Sequence, residues 1–228
     1  MATERTFIDL HCHTSASFDS MATPAAVARV AASRGLTHLA ITDHGTIDGA
    51  LAVRDAAPEG LTILIGQEIR TTEGDLIGVF LDRAIPGVLT PADAVAAVRD
   101  QGGLIGIPHP YDRYRGSMGR GGGLDGLIAL SGSIDWIEAW NARIIFGDGN
   151  VRAAELAASV HVPGVAVSDA HTTMEVGVAS TILTGDPSTP EGLSAALAAG
   201  VELQMGRASV YTRFAVPAAR IFKRVGVR

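Results

Sequence analysis

The stretch "FIDLHCHTSASFDS" (residues 7–20) sets two of the chain's seven histidines one residue apart, at the end of an apolar run and beside an aspartate. Side chains alternate along a strand, so Phe7, Asp9, His11 and His13 share one face and Ile8, Leu10 and Cys12 the other. Two imidazoles at i and i+2 on one face can hold a single metal ion, and Asp9 is placed to accept the second N–H of one ring. Alone, H-x-H is equally a surface pair or a hydrogen-bonded core feature. It does not stand alone. "TDH" brings Asp43 and His44, "GQEI" brings Glu68, "PHP" brings His109, "DWIEAW" brings Glu138, and "SDAH" brings Asp169 and His171. A mixed set of imidazoles and carboxylates suits Zn, Mn or Fe(II), whereas an all-oxygen set suits Mg or Ca. One cysteine leaves no thiolate cluster for a structural zinc.

Most of these residues follow short apolar runs: "FIDL", "LAIT", "TILIGQ", "LIGIP" and "VAVS". Between the runs lie helical stretches with a repeated opening, Thr23-Pro24, Thr90-Pro91 and Thr189-Pro190, which reads as an N-cap followed by proline at the first helical position. These helices stop at Gly35, at Gly102 and Gly103, and at Gly200; a fourth lies in "NVRAAELAASV". "DLIGVFL" and "IDWIEAW" add further strands. Helices alternating with continuously apolar strands predict a parallel sheet covered by helices. About seven strands in 228 residues favour a compact barrel, and with no linker in view the expectation is one domain over residues 1–228. Ligands in such folds bind beyond the carboxyl ends of the strands, so the polar residues should meet at one mouth.

The ordered set "DLHCHTSASFDS", "AITDHGT", "GQEI", "IPHP" and "VSDAH" resembles the PHP (polymerase and histidinol phosphatase) family of metal-dependent phosphoesterases, from residue 9 to 171. The resemblance implies a distorted seven-stranded β/α barrel, TIM-like, with two or three divalent metal ions (Mn, Zn or Fe) at its mouth. It implies that His11, His13, Glu68 and Asp169 hold a first ion, that Glu68 bridges to a second held also by His109, and that Asp19, His44 and His171 hold a third. Relatives often place a histidine just before the strand "DWIEAW", where this chain has Ser131, Gly132 and Ser133; Glu138 is the substitute in view, and Asp75 has no assigned role. The implied activity is hydrolysis of small phosphate esters. Bound ions clamp the non-bridging oxygens and bring a water's pKa toward about 7, and the leaving oxygen takes a proton from water or from a histidine, His171 or His44. Alternatives are a short-chain nuclease or phosphodiesterase, hydrolysis of an amide or lactone on the same ions, and a non-catalytic module.

"PHPYDRYRGSMGRGGGLDG" (108–126) is long for a connection after a strand and carries Arg113, Arg115 and Arg120. It is either a lid whose Arg113 meets the substrate phosphate or a solvated surface loop. Its G-x-G-x-x-G lacks the strand and helix that a dinucleotide site needs. Arg143 is assigned as an anion contact, with a surface ion pair as the other reading. His38 and His161 read as structural or surface histidines, Asp43 as support for a ligand, and Cys12 as a small core residue. The basic tail from Arg207 to Arg228 reads as a strand and amphipathic helix. Net charge of −6 disfavours long nucleic acid as partner. No apolar signal core or membrane span is in view, and the single thiol suits a cytoplasmic protein acting on a small phosphorylated substrate.

Overall fold

Each Thr-Pro pair opens a helix. In the computed structural model, which describes residues 5–113, 116–121, 126, 130–214, 217 and 221, helix α1 is Pro24–Ser33, α2 Asp48–Ala56 and α3 Pro91–Arg99; a single turn α4 is Met118–Gly121, α5 is Gly149–Ser159 and α6 Pro190–Ala199. Thr90 Oγ1 accepts the Asp93 N–H at 3.2 Å and Thr189 Oγ1 the Gly192 N–H at 3.1 Å, satisfying donors that have no partner within the helix. Gly35, Gly102 and Gly200 follow α1, α3 and α6 with positive φ, where a side chain would be strained.

The strands are β1 Arg5–Asp9, β2 His38–Ile41, β3 Thr62–Arg70, β4 Asp75–Val79, β5 Leu104–Ile107, β6 Trp136–Asn141, β7 Gly164–Val167, β8 Ser180–Thr184 and β9 Glu202–Gln204. They form one sheet in the order β7-β6-β5-β4-β3-β2-β1-β8-β9, curled into a nearly closed barrel. The expected seven strands are therefore nine. β1 to β7 run round the barrel in chain order, and β8 and β9 are added antiparallel beyond β1. At the mouth the chain beyond β1 meets the chain beyond β7: the Asp169 N–H donates to His11 O at 2.8 Å and the His13 N–H to Ala170 O at 2.9 Å. Lower down, Thr181 Oγ1 of β8 donates to the Ala166 carbonyl of β7 and accepts its N–H.

The sheet is also mixed where a parallel one was expected. β3, β4 and β5 pair antiparallel, because only residues 71–74 link β3 to β4; a parallel crossover needs a dozen residues or more. Since β4 reverses and β5 reverses again, β1, β2, β3, β5, β6 and β7 all point the same way. Their carboxyl ends collect at one mouth, and β4 delivers its first residue, Asp75, to that same end.

The barrel interior is apolar. One buried cluster takes Ile8, Ala40, Leu64, Ile77, Leu104, Trp136, Val165 and Leu183, one from each of β1 to β8. Helices α3 and α5 cover the outer face near β4 to β6, and α1 and α2 pack beside β2. Gly106 of β5 is paired with Trp136 of β6. A Cβ at position 106 would run into the buried indole. Gly106→Ala should therefore destabilise the fold by about 2–3 kcal/mol, lowering Tm by roughly 5–10 °C; an unchanged melting curve would show that the indole has room to move. Among the described residues, no helix is long and apolar enough to cross a membrane.

Candidate metal centre

The mouth brings together all eight residues expected to hold metal. His11 and His13 follow β1, Asp19 lies in the next loop, His44 follows β2, Glu68 is in β3, His109 follows β5, and Asp169 and His171 follow β7. The sheet's backbone bonding runs past the strand ends and fixes these positions: Thr42 N–H donates to Cys12 O, Glu68 N–H to Thr42 O, and Cys12 bridges Ala170. All eight are buried except His44, which is half-buried. His109 and Asp169 hold left-handed backbone (φ 28° and 52°) without being glycine, a conformation that recurs where a site dictates geometry.

Their donor atoms form three overlapping groups, each within 4.8 Å: His11, His13 and Glu68; His11, His109 and Asp169; and His13, Asp19, His44 and His171. In the first, His11 Nε2 and His13 Nε2 are 2.9 Å apart, and Glu68 Oε2 lies 3.2 Å from each. Asp169 Oδ1 is 3.7 Å from both nitrogens. Four donors at tetrahedral corners around one Zn-sized ion are separated by about 3.4 Å, and these separations straddle that value. Glu68 Oε1 turns the other way, to His109 Nε2 at 3.2 Å. In the outer group Asp19 Oδ2 lies 3.5 Å from His44 Nε2 and 3.3 Å from His171 Nε2, with Glu68 Oε2 3.4 Å from His44. The residues fit divalent ions in number, type and spacing.

The charge balance of the mouth asks for cations as well. Burial draws the pKa of His11 down, but the carboxylates of Glu138 and Glu68 push it up to about 10. His13, buried and beside His11, falls to about 4. Burial would raise Glu68, yet His44, His11 and His109 hold it well below the ordinary carboxylate range. Asp75, buried and facing the Glu68 charge, rises to about 7.

The neighbours of these groups differ in part from the expectation. Asp9 does not reach a ring: its Oδ1 accepts the N–H of Ser168 at 3.0 Å and of His11 at 3.3 Å. Glu138 does that job instead, its Oε1 taking His11 Nδ1 at 2.6 Å. Its Oε2 accepts the His109 N–H and Asn141 Nδ2, each at 2.8 Å, so both oxygens are engaged by groups of the protein itself. Asn141 Nδ2 donates also to Asp169 Oδ2 at 2.9 Å. His171 donates Nδ1–H to Asp169 O at 2.9 Å, which leaves Nε2 toward Asp19. Asp43 accepts Thr14 N–H and Oγ1–H, both at 2.7 Å, and so anchors the turn that follows His13.

Arg143 is buried beside this mouth. Its Nε lies 3.4 Å from Glu175 Oε1, and Glu175 Oε2 accepts the His171 N–H at 3.0 Å. Burial and then the Arg143 charge push His171 well below its usual pKa. Glu175 escaped notice in the sequence, although it stands four residues after His171 in "SDAHTTMEVG". Arg113 is exposed, 3.9 Å from Asp148. Arg115 and most of the G-x-G-x-x-G lie outside the described residues, as does most of the basic tail. Arg207 donates to Ile145 O and lies over Trp140. His38 bonds Thr37 and Ser188 far from the mouth, and His161 is an exposed residue after α5.

A mixed β/α barrel whose mouth gathers five histidines and three carboxylates for divalent ions defines a class. The chain belongs to the PHP-domain family, whose match spans residues 9–135, and the PHP-associated family matches residues 147–201. The uncharacterized protein MJ1587 of Methanocaldococcus jannaschii is 37% identical over 145 residues, 59% of this chain and 81% of that one. A 5'-3' exoribonuclease of Haemophilus influenzae is 32% identical over 117 residues, 46% of this chain and 42% of its own length. Among solved structures, PsfC from Pseudomonas syringae superposes with a TM-score of 0.67 at 19% identity, covering 97% of this chain and 99% of that one. An amidohydrolase from Chromobacterium violaceum, solved with bound sulfate and no metal, gives 0.59 at 19% identity over 86% and 97%. At such identities the likeness of the two structures concerns the fold.

Proposed function

We propose that the protein is a metal-dependent hydrolase of small phosphate esters, using two or three divalent ions (Mn, Zn or Fe) and acting in the reducing cytoplasm that its single buried thiol suits. The observation that carries this reading is the Glu68 carboxylate, one oxygen beside His11, His13 and His44 and the other beside His109. A carboxylate so placed would serve more than one ion. Ions held there supply positive charge to the phosphoryl oxygens and lower the pKa of a water toward neutrality. His11, His13, Glu68 and Asp169 would hold an inner ion, Glu68 and His109 a second, and Asp19, His44 and His171 an outer one. Arg143 adds a fixed guanidinium beside the outer group for the substrate's anionic oxygens, and Arg113 meets the phosphate from the loop above. The leaving oxygen takes its proton from water, because the Nε2 atoms of His171 and His44 face the outer group and His171 Nδ1–H is already given to the Asp169 carbonyl. The exoribonuclease relative supports phosphorus as the reacting centre, mono- or diester. The amidohydrolase neighbour makes a carbon–nitrogen bond the second reading.

The test is release of inorganic phosphate from a metabolite panel after loading with Mn, Zn or Fe(II), run beside amide and lactone substrates. Elemental analysis should find at least two transition-metal equivalents per chain, and chelation should abolish turnover. Turnover of amides alone would replace this reading by the second.

A further inference from the structure

We propose that Phe18 and Arg70 form a nucleoside-binding subsite on the rim of the mouth, so that the preferred ester is a nucleotide; this rests on the phosphoesterase reading above. Ser17 and Asp19, on either side of Phe18, are buried, and the Ser17 hydroxyl donates to Asp19 Oδ1 at 2.9 Å. Phe18 between them is turned outward and left 41% exposed. Its ring lies tilted by 32° against His44, with centroids 4.9 Å apart, and His44 Nε2 belongs to the outer group of metal donors. The phenyl ring is thus one imidazole away from that group. Arg70 ends β3 two residues past Glu68, is exposed, and has its guanidinium carbon 6.0 Å from the Phe18 centroid. Among the described residues its guanidinium donates no hydrogen bond and closes no ion pair.

A large aromatic exposed beside a cluster of charge gains little from water, and an arginine without a hydrogen-bond partner is a donor in wait of an acceptor. A purine or pyrimidine uses both. Its π-face stacks on a phenyl ring, and its ring nitrogens and carbonyls accept from a guanidinium. The phosphate attached to that nucleoside then extends past His44 toward the outer donors. Glycerol and amino-alcohol phosphates have no planar face to offer Phe18.

The test compares binding of non-hydrolysable phosphonate analogues of adenosine 5′-monophosphate and of glycerol phosphate to the Mn-loaded protein by calorimetry. The wild type should favour the adenosine compound by about tenfold or more. In Phe18→Leu the ratio of the two dissociation constants should collapse toward one, while Phe18→Trp keeps it and Arg70→Met reduces it. A ratio near one in the wild type, or one unmoved by Phe18→Leu, overturns the subsite. Turnover of the corresponding esters is measured separately. Adenosine preference without phosphate release overturns the hydrolase reading and upholds the subsite; phosphate release with no adenosine preference does the reverse.

Discussion

Glu68→Ala should empty the mouth: bound transition metal should fall from at least two equivalents per chain to below one, and phosphate-ester turnover by at least about a thousandfold. Among the described residues, no other carboxylate stands beside as many imidazoles. Its Oε2 is 3.2 Å from His11, 3.2 Å from His13 and 3.4 Å from His44, and its Oε1 is 3.2 Å from His109. Removing it leaves four imidazoles converging on a hole, with only Asp169 and Asp19 at its edges to offset an ion and no carboxylate shared between neighbouring groups. Glu68→Gln separates charge from shape. The amide keeps the volume but presents an N–H where one of the two sets of donors now faces an oxygen, and it should lose metal nearly as completely. The burial of Glu68 between β2 and β4 makes circular dichroism a necessary companion measurement. A variant with native secondary structure and two equivalents of metal would remove the bridge from the mechanism.

Why the donors were legible in the sequence while their supports were not follows from what each task demands. A metal ligand must be one of a few residue types, and a barrel places it just past a strand, so "HCH", "TDH", "PHP" and "SDAH" announce themselves by type and position. The supporting bonds have no such constraint. Asp9 lies two residues from His11 and was the natural partner for its ring, yet the pleat turns its carboxylate to the Ser168 and His11 amides. Glu138, 127 residues away along the chain, reaches the ring because β6 and β1 face one another across the barrel mouth. Asn141 and Glu175 follow the same rule, since each bonds residues brought close only by closure. Among the strands, β8 reads "STILT", too short and too polar at its ends to show a period, and its pairing with β1 depends on a contact distant in the chain. The reversal of β4 was in principle legible, because four residues cannot cross over a sheet.

Glu138→Gln should weaken metal binding by about 10- to 100-fold without unfolding the protein, an effect typical of losing the residue that orients a ligating histidine. Both carboxylate oxygens accept: Oε1 from His11 Nδ1–H, Oε2 from the His109 N–H and from Asn141 Nδ2. A glutamine offers one oxygen and one NH2 group, so whichever way it turns, an N–H faces an N–H. If the oxygen stays with His11, the His109 amide loses its acceptor and the left-handed backbone there loses a restraint. If the amide flips, His11 loses the acceptor that fixes its Nδ1–H tautomer and keeps Nε2 aimed at Glu68 and His13. In either case the charge that raises the basicity of His11 is gone. Competition with a chromophoric chelator measures the affinity, and excess Mn or Zn should restore turnover in Glu138→Gln but not in Glu68→Ala. Such a rescue separates a residue that aims a ligand from one that is a ligand; unchanged affinity in Glu138→Gln would leave the carboxylate no part in holding metal.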